Sequence, residues 1–283
     1  MSPVSTKLRY GFVFPLSDAR STADMAAIAE SVGWDAIFVA DSPWGIDPWV
    51  TLAAVAMRTN TLRFGTMLTP LSRRRPWKLA SETATLDNLS NGRLILSVGL
   101  GAIDTGFEAF GEKIDRKTRA ELLDEGLDIV TGLWHGQPFA YDGKHYHIQP
   151  TTFFPPPPPV QTPRIPIWVV GSWPRERSMA RVLRYDGLLP AKISPDGQFE
   201  YPTADDLRAM VTYLAERRTL TKPLDVVMEG RTSGDPADKQ AAVDKILPYA
   251  EAGATWWLES MWMAPNSPED VLRRIRQGPP SIG

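Results

Sequence analysis

The side chains that carry most enzyme chemistry are scarce in this chain. Its 283 residues include no cysteine and three histidines. Disulfides and thiolate chemistry are therefore excluded, and the composition fits a cytoplasmic protein. His145 and His147 alternate on a segment that reads as a hairpin strand, where residues i and i+2 share a face. That spacing suits a metal pair, yet no third ligand lies near and the two read as surface polar residues; no metal is expected. Gly99-Leu100-Gly101 suggests a dinucleotide loop. Its next glycine, Gly106, is too distant for G-x-G-x-x-G, and no acidic residue closes the following strand. No convincing Ser-His-Asp or Cys-His set is apparent, which agrees with a site where a cofactor would carry the reactive chemistry.

The elements that must position such a cofactor follow from hydropathy. Short apolar runs at 8–14, 36–40, 62–68, 94–98, 165–170, 187–190, 224–228 and 255–259 alternate with helical patterns. The helical stretches are 21–32, 48–58, 76–89, 116–134, 176–184, 204–218, 237–252 and 268–276. Eight strands alternating with eight helices predict an α/β fold, a single (β/α)₈ TIM barrel over 1–283, which needs roughly 250 residues. A doubly wound open sheet shares the rhythm; the count of eight and the closing helix favour closure. Residues 139–163 form an insertion between helix 4 and strand 5: a hairpin around Asp142-Gly143, then a proline-rich connector. Asp24 is expected in the first turn of the first helix and Gly92 at a left-handed helix end. The net charge of −2 offers no footprint for nucleic acid or an anionic membrane. The N-terminus lacks an apolar signal region, and no apolar run approaches 18 residues, so no membrane span is expected.

In a barrel of this kind the site lies at the C-terminal strand ends. These carry Phe14, Asp41-Ser42-Pro43-Trp44, Met67-Leu68-Thr69-Pro70, Gly99-Leu100-Gly101, Gly171-Ser172-Trp173, Lys192, Glu229, Arg231 and the segment from Glu259 to Trp262. Glycines and apolar side chains dominate, which suits a flat aromatic ligand. Phe14, Trp44, Met67, Leu68 and Trp262 predict a largely apolar substrate, with Lys192 as the one cation able to hold an anionic group. Asp87 and Arg93 flank a helix-to-strand turn on the opposite, stability face. Trp256 and Trp257 should point to opposite sides of their strand.

Several motifs occur in order: Gly65-Thr66, Pro76, Leu86-Asp87, Ser90, Gly92-Arg93, Gly99 with Gly101, then Phe107 to Gly111, Arg119, Tyr141-Asp142-Gly143, Pro163 to Ile167 with Gly171, and Asp186-Gly187. The series resembles the bacterial-luciferase-like family of flavin-dependent oxidoreductases from Leu8 to Pro190, and more weakly beyond. The resemblance implies a non-prolyl cis peptide at Met67-Leu68, with Leu68 beneath the cofactor's central ring; as a bare sequence, the pair also reads as an ordinary apolar strand end. It implies cofactor contacts from Met67, Leu68, Thr69, Gly99 and Gly101. Val170, Gly171, Ser172 and Arg175 would meet the cofactor phosphate, unless Gly171-Ser172 is a plain turn.

Two chemistries are compatible with the family. Reduced FMN with oxygen, supplied by a separate flavin reductase, gives a monooxygenase; this is the favoured expectation. An 8-hydroxy-5-deazaflavin, coenzyme F-420, gives hydride transfer instead. A deazaflavin-dependent sugar-phosphate dehydrogenase branch carries an Asp-His pair after the second strand and a Glu after the fourth. Here Ser42 follows Asp41 and Ala102 follows Gly101, which argues against that activity. Asp41, Ser42, Trp44 and Lys192 are the pocket candidates, Trp44 alternatively being a buried loop aromatic. A non-catalytic degenerate barrel is the remaining reading. The family and ten tryptophans suggest a homodimer with tryptophan at its interface.

Overall fold

A computed structural model describes residues 8–15, 17–152, 155–196, 198–261 and 267–280. The elements run β1 (Arg9–Val13), α1 (Ala19–Ser31), β2 (Ala36–Val39), α2 (Pro48–Arg58), β3 (Arg63–Thr66), β4 (Thr69–Pro70), α3 (Pro76–Leu89), β5 (Leu94–Gly99) and α4 (Arg116–His135). A hairpin follows, β6 (Phe139–Asp142) and β7 (His147–Thr151). The chain continues as β8 (Ile167–Trp173), α5 (Glu176–Val182), β9 (Gly187–Ile193), β10 (Phe199–Glu200), α6 (Ala204–Arg217), β11 (Asp225–Gly230), α7 (Lys239–Glu251), β12 (Trp256–Ser260) and α8 (Pro268–Arg276). The sheet order is β9-β11-β12-β1-β2-β3-β5, and β8 bonds both β5 and β9. The fold is the expected single (β/α)₈ barrel. Among the described residues no helix is long and apolar enough to cross a membrane.

Three expected helices, α2, α3 and α8, match to the residue. Each opens on Pro at the first helical position, where its missing N–H is no loss. Among the boundaries that differ, two bear on the readings above. Helix α1 begins at Ala19, so Asp24 lies past its first turn; Asp18 instead accepts from the Ser21 N–H at 2.9 Å. Strand β8 runs to Trp173, which puts Gly171 and Ser172 inside the ladder opposite Pro190 and Ala191 of β9.

The described chain divides into two compact units. The first comprises 1–15, 25–38 and 167–283. Its core includes Trp168, whose ring lies 5.3 Å from both Phe38 and Trp256. The Arg9 guanidinium stacks 4.3 Å over Trp256 and pairs with Asp225, which also accepts from Trp168 Nε1 at 3.0 Å. Trp257 faces the other way, 6.1 Å from Tyr249 of α7, as strand alternation requires. At the end of β12 the fully buried Glu259 accepts from the Thr232 N–H and hydroxyl, both at 2.7 Å, and pairs with Arg274 of α8 at 3.2 Å.

The second unit comprises 16–24 and 39–166. Its helix-to-strand turn after α3 shows why the Leu-Asp-x-x-Ser-x-Gly-Arg motif exists. Asn91 and Gly92 both take left-handed φ, 55° and 82°, a conformation that favours Gly and Asn. The turn buries Asp87 and Arg93. Asp87 accepts from the Val160 and Gln161 backbone N–H groups and from Gln161 Nε2, at 2.8, 3.1 and 2.8 Å. Arg93 donates to Ser90 O, Thr59 Oγ1, Leu62 O and Ala56 O at 2.7–3.0 Å. One side chain thus ties the proline connector to α3, and the other ties the end of α2 to the start of β5.

The hairpin turns after Asp142-Gly143 as expected, with β6 and β7 antiparallel. Its loop docks on α4. Glu125 accepts from the backbone N–H groups of Lys144, His145 and Tyr146, and Glu121 pairs with Lys144 Nζ and His145 Nε2. His145 therefore lies in the loop and not on a strand face with His147, which contacts Asp142 instead. Among the described residues no cluster could hold a metal ion.

Two outcomes follow from these contacts. Asp87→Ala removes the buried carboxylate that holds the Val160 and Gln161 N–H groups of the connector, and hydrogen bonds to a charged group are worth about 1.5–3 kcal/mol. Urea unfolding should show a loss of about 3 kcal/mol, and a loss below about 1 kcal/mol would contradict the anchoring role. Separately, the hydrogen bonds from Lys144 and then His145 hold the Glu121 carboxyl below its ordinary range. A carboxylate depressed on folding stabilises above its unfolded pKa and loses that contribution as pH falls through the folded value. The Lys144 and His145 resonances should therefore shift as pH falls below the ordinary range of a glutamate carboxyl, and Glu121→Gln should remove that titration.

Candidate active site

In the second unit, β3 stops at Thr66 and pairing with β5 resumes at Thr69-Pro70, opposite Val98 and Gly99. Between them the Met67–Leu68 peptide is cis, as the family resemblance implies. The Met67 N–H donates to Val39 O at 2.8 Å. Beneath, the buried hydroxyls of Thr66 and Thr69 meet at 2.8 Å, and Thr66 reaches Ser97 O at 3.4 Å. The two threonines satisfy each other where the ladder is interrupted. Met67 and Leu68 are half-buried and form an apolar ledge at the strand end.

Gly101 borders this region with φ +76°, and a Cβ there would lie 2.8 Å from Pro70 and 2.9 Å from Phe107. Only glycine allows the exit of β5 to pass Pro70 so closely. The buried Arg119 of α4 secures the exit by donating to Leu100 O and Gly101 O at 2.9 and 3.0 Å, and burial lowers its pKa.

Asp41, after β2, is not an open acid. Its side chain has no exposed surface. Arg74 grips it through Nε and Nη2 at 2.8 and 2.7 Å, while Arg73 Nη2 donates to its Oδ1 and its backbone oxygen at 2.8 and 2.7 Å. Burial works against the Arg74 charge, and the hydrogen bond and charge of Asp41 outweigh it, so the guanidinium is held above its ordinary value. Sequence reasoning missed these partners. The signal was present: Arg73-Arg74-Arg75 directly follows a barrel strand end, and a buried carboxylate requires cations. The rim beside Asp41 is accordingly not mainly apolar, which corrects the expected lining. A cavity of about 420 Å³ there is bordered by Ser42 to Pro48, by Arg73 to Arg75, and by Lys78, Leu79 and Glu82. Trp44 is 82% exposed, so it is no buried loop aromatic.

In the first unit, the strand-end residues are largely engaged with their own surroundings. A Cβ on Gly171 would lie 2.4 Å from Leu188 and 2.9 Å from Met179 Sδ; this glycine lets β8 pack on β9 and α5. The Ser172 N–H donates to Ser178 Oγ, and the Arg175 N–H to Ser172 O. Those two amides face into the turn, leaving the Ser172 hydroxyl and the exposed Arg175 side chain as the donors a phosphate could use. Val170 is half-buried in β8. Lys192 in β9 already pairs with Asp206 at 3.0 Å and Glu200 at 3.6 Å. The Asp206 hydrogen bond chiefly raises its pKa, so Lys192 is a charged anchor and no base at neutral pH. Phe14 is buried, and Trp262 lies outside the described residues.

Comparison with known proteins agrees with this architecture. Residues 5–269 match the model of the luciferase-like monooxygenase family, and the chain belongs to that family. A coenzyme F-420-dependent glucose-6-phosphate dehydrogenase of Nakamurella multipartita is 27% identical, over 90% of this chain and 81% of its own. Further relatives at 26–28% identity carry the same name. Among solved structures, the F-420-dependent tetrahydromethanopterin reductase of Methanopyrus kandleri superposes with TM-score 0.74 at 17% identity, covering 96% and 98% of the two chains. The FMN-bound oxygenating constituent of 3,6-diketocamphane monooxygenase from Pseudomonas putida gives 0.72 at 18% identity, covering 95% and 96%. At those identities the structures share the fold alone. The protein is an oxidoreductase acting on a small molecule, and the degenerate-scaffold reading falls. The expectation of FMN and monooxygenation is also corrected, because the near-full-length relatives are named for the deazaflavin.

Removing Asp41 strands two guanidiniums, and breaking a buried ion pair costs about 3–5 kcal/mol. Asp41→Ala should lower unfolding free energy by about 3 kcal/mol, while Ser42→Ala stays within about 0.5 kcal/mol. Equal effects in a denaturant titration would refute the bracketing role of Asp41.

Proposed function

We propose that this protein is a coenzyme F-420-dependent oxidoreductase that transfers a hydride to or from a small organic substrate other than glucose 6-phosphate. The observation that carries the cofactor is the similarity, over nine tenths of the chain, to relatives named for F-420. This reading replaces FMN and oxygenation, and with them the separate flavin reductase. The residues present fit a flat ring: Met67 and Leu68 offer a half-buried apolar ledge beside Thr69, Gly99 and Gly101. In the first unit, taken by itself, Val170, Gly171, Ser172 and Arg175 are the proposed cofactor contacts, with the Ser172 hydroxyl and the Arg175 guanidinium as donors for the phosphate. A homodimer in the cytoplasm completes the reading, supported by the exposed Trp77 and the absence of cysteine.

When bound, the deazaflavin supplies the two-electron hydride chemistry. The chain's own residues then orient and exclude water. The Thr66–Thr69 hydroxyl pair fixes the base of the ledge, and Arg119 fixes the exit of β5. Asp41 acts as a positioning residue, because its oxygens are occupied by Arg73 and Arg74. The change of substrate rests on Ser42 and Ala102, which stand where the sugar-phosphate branch has its His and Glu. Without an imidazole beside Asp41, the alcohol proton of a sugar has no base at this position.

Equilibrium titration should show F-420 binding at least tenfold more tightly than FMN. Leu68→Asp places a charge on the ledge and should weaken F-420 at least tenfold without changing the melting temperature. Undiminished affinity in Leu68→Asp would refute the ledge, and a preference for FMN would refute the cofactor.

A further inference from the structure

The cavity beside Asp41 carries more cationic character than its neighbours neutralise. Four cations, Arg73, Arg74, Arg75 and Lys78, lie on its wall. Three carboxylates answer them: Asp41 behind the arginines, Asp47, and Glu82, which lies 3.9 Å from Arg74 and 3.5 Å from Lys78. One positive charge is left over. Asp47 is further engaged in capping α2, where it accepts from the Val50 N–H.

Two buried polar atoms in the same wall lack a hydrogen bond. Arg73 Nε is one, on a side chain only 8% exposed. A buried guanidinium donor without an acceptor is costly in a finished interior. Arg73 lines the cavity, where an anion would meet its guanidinium charge. The other is Glu82 Oε2. Burial raises the Glu82 carboxyl above its ordinary range against the pull of Arg74 and Lys78.

The remaining wall is apolar and flat. Trp44 is 82% exposed and Ile46 37% exposed, beside Pro43. An indole so exposed at a cavity mouth gains by covering a planar apolar body. A volume of about 420 Å³ lies in the range of small-molecule sites.

We propose that this cavity is the substrate's anion subsite, and that it takes a monocarboxylate whose flat apolar body lies against Trp44 and Ile46. The inference rests on the oxidoreductase reading above and names its substrate class. The single surplus charge matches a carboxylate better than the dianion of a phosphomonoester. Asp41 holds Arg73 and Arg74 in place before the ligand arrives, which reduces the ordering cost of binding. Arg75 and Lys78, on the exposed side, draw the anion in. Coenzyme F-420 itself bears carboxylates on its glutamyl tail, so the same chemistry has a second source. The apolar wall favours the substrate over that tail.

Calorimetric titration of the full chain with benzoate, benzamide and acetate tests the subsite. Benzoate should bind at least tenfold more tightly than benzamide, which has the ring without the charge, and than acetate, which has the charge without the ring. The double variant Arg75→Gln/Lys78→Gln should weaken benzoate at least tenfold and leave benzamide unchanged. Trp44→Ala should weaken both aromatic probes. Both variants change exposed side chains, so thermal melting should remain that of the parent. Equal binding of benzoate and benzamide, or parental benzoate affinity in the double variant, overturns the proposal. A parallel titration compares coenzyme F-420 with its tail-free chromophore. If the double variant loses the preference for the tailed form while benzoate binding is unchanged, the cavity holds the tail and the substrate assignment fails. If neither form binds the parent protein, the cofactor reading fails, and the benzoate series still decides the subsite.

Discussion

A carboxylate with no exposed surface has to be met by positive charge, and Asp41 is met by two guanidiniums. Much of the functional rim of the second unit follows from that requirement. Arg73 and Arg74 lie on the turn between β4 and α3, directly after the Met67–Leu68 ledge. By holding them, Asp41 joins the end of β2 to the segment that leaves the ledge. The desolvation of three ionic groups is offset only because every oxygen of Asp41 receives a donor. A lysine in place of Arg74 would lack the fork that engages both oxygens at once. The rim is thus stiff where it borders the ledge, and its loops are open where Trp44 stands in solvent.

At the opposite ends of the elements the same physics serves stability alone. Asp87 and Arg93 are buried, and the donors and acceptors around them are mainly backbone groups of turns. The cavity beside Asp41 lies instead after the strand ends where barrel folds place their chemistry. Arg93 meets at least four acceptors, whereas Arg73 and Arg119 each keep Nε unpaired.

Much of the architecture was legible in the sequence because the signals were local. Pro48, Pro76 and Pro268 mark helix starts by their fixed φ, and Gly92 marks a helix end by its left-handed one. The end of β8 was not legible. Gly171 reads as a turn signal, yet it sits inside the strand because Leu188 and Met179 leave no room for a Cβ. That constraint comes from residues distant in sequence, and periodicity does not register it. The ion partners of Asp41 were hidden for a similar reason. They lie 32 and 33 residues away, so the run Arg73-Arg74-Arg75 signals cations at a strand end without saying which carboxylate they meet. Lys192 shows the reverse error. A lone basic residue at a strand end looked available, and Asp206 and Glu200, from the following segment, had already engaged it.

The cofactor's identity was hardest to read from the residues, and the chemistry explains why. FMN and the deazaflavin share a flat tricyclic outline, so a ledge of half-buried apolar side chains accepts either. The difference in reactivity belongs to the ring, and the protein needs no side chain to produce it. What the chain does specify is the ground around that ring. An oxygenating site must exclude water from a reactive adduct, and a hydride-transfer site must hold a substrate carbon at contact distance in one orientation. A charged, partly preorganised subsite next to an apolar wall meets the second demand, since it fixes both ends of an elongated molecule. The arginines that Asp41 holds in place are thus better suited to orienting a substrate than to sheltering an oxygen adduct.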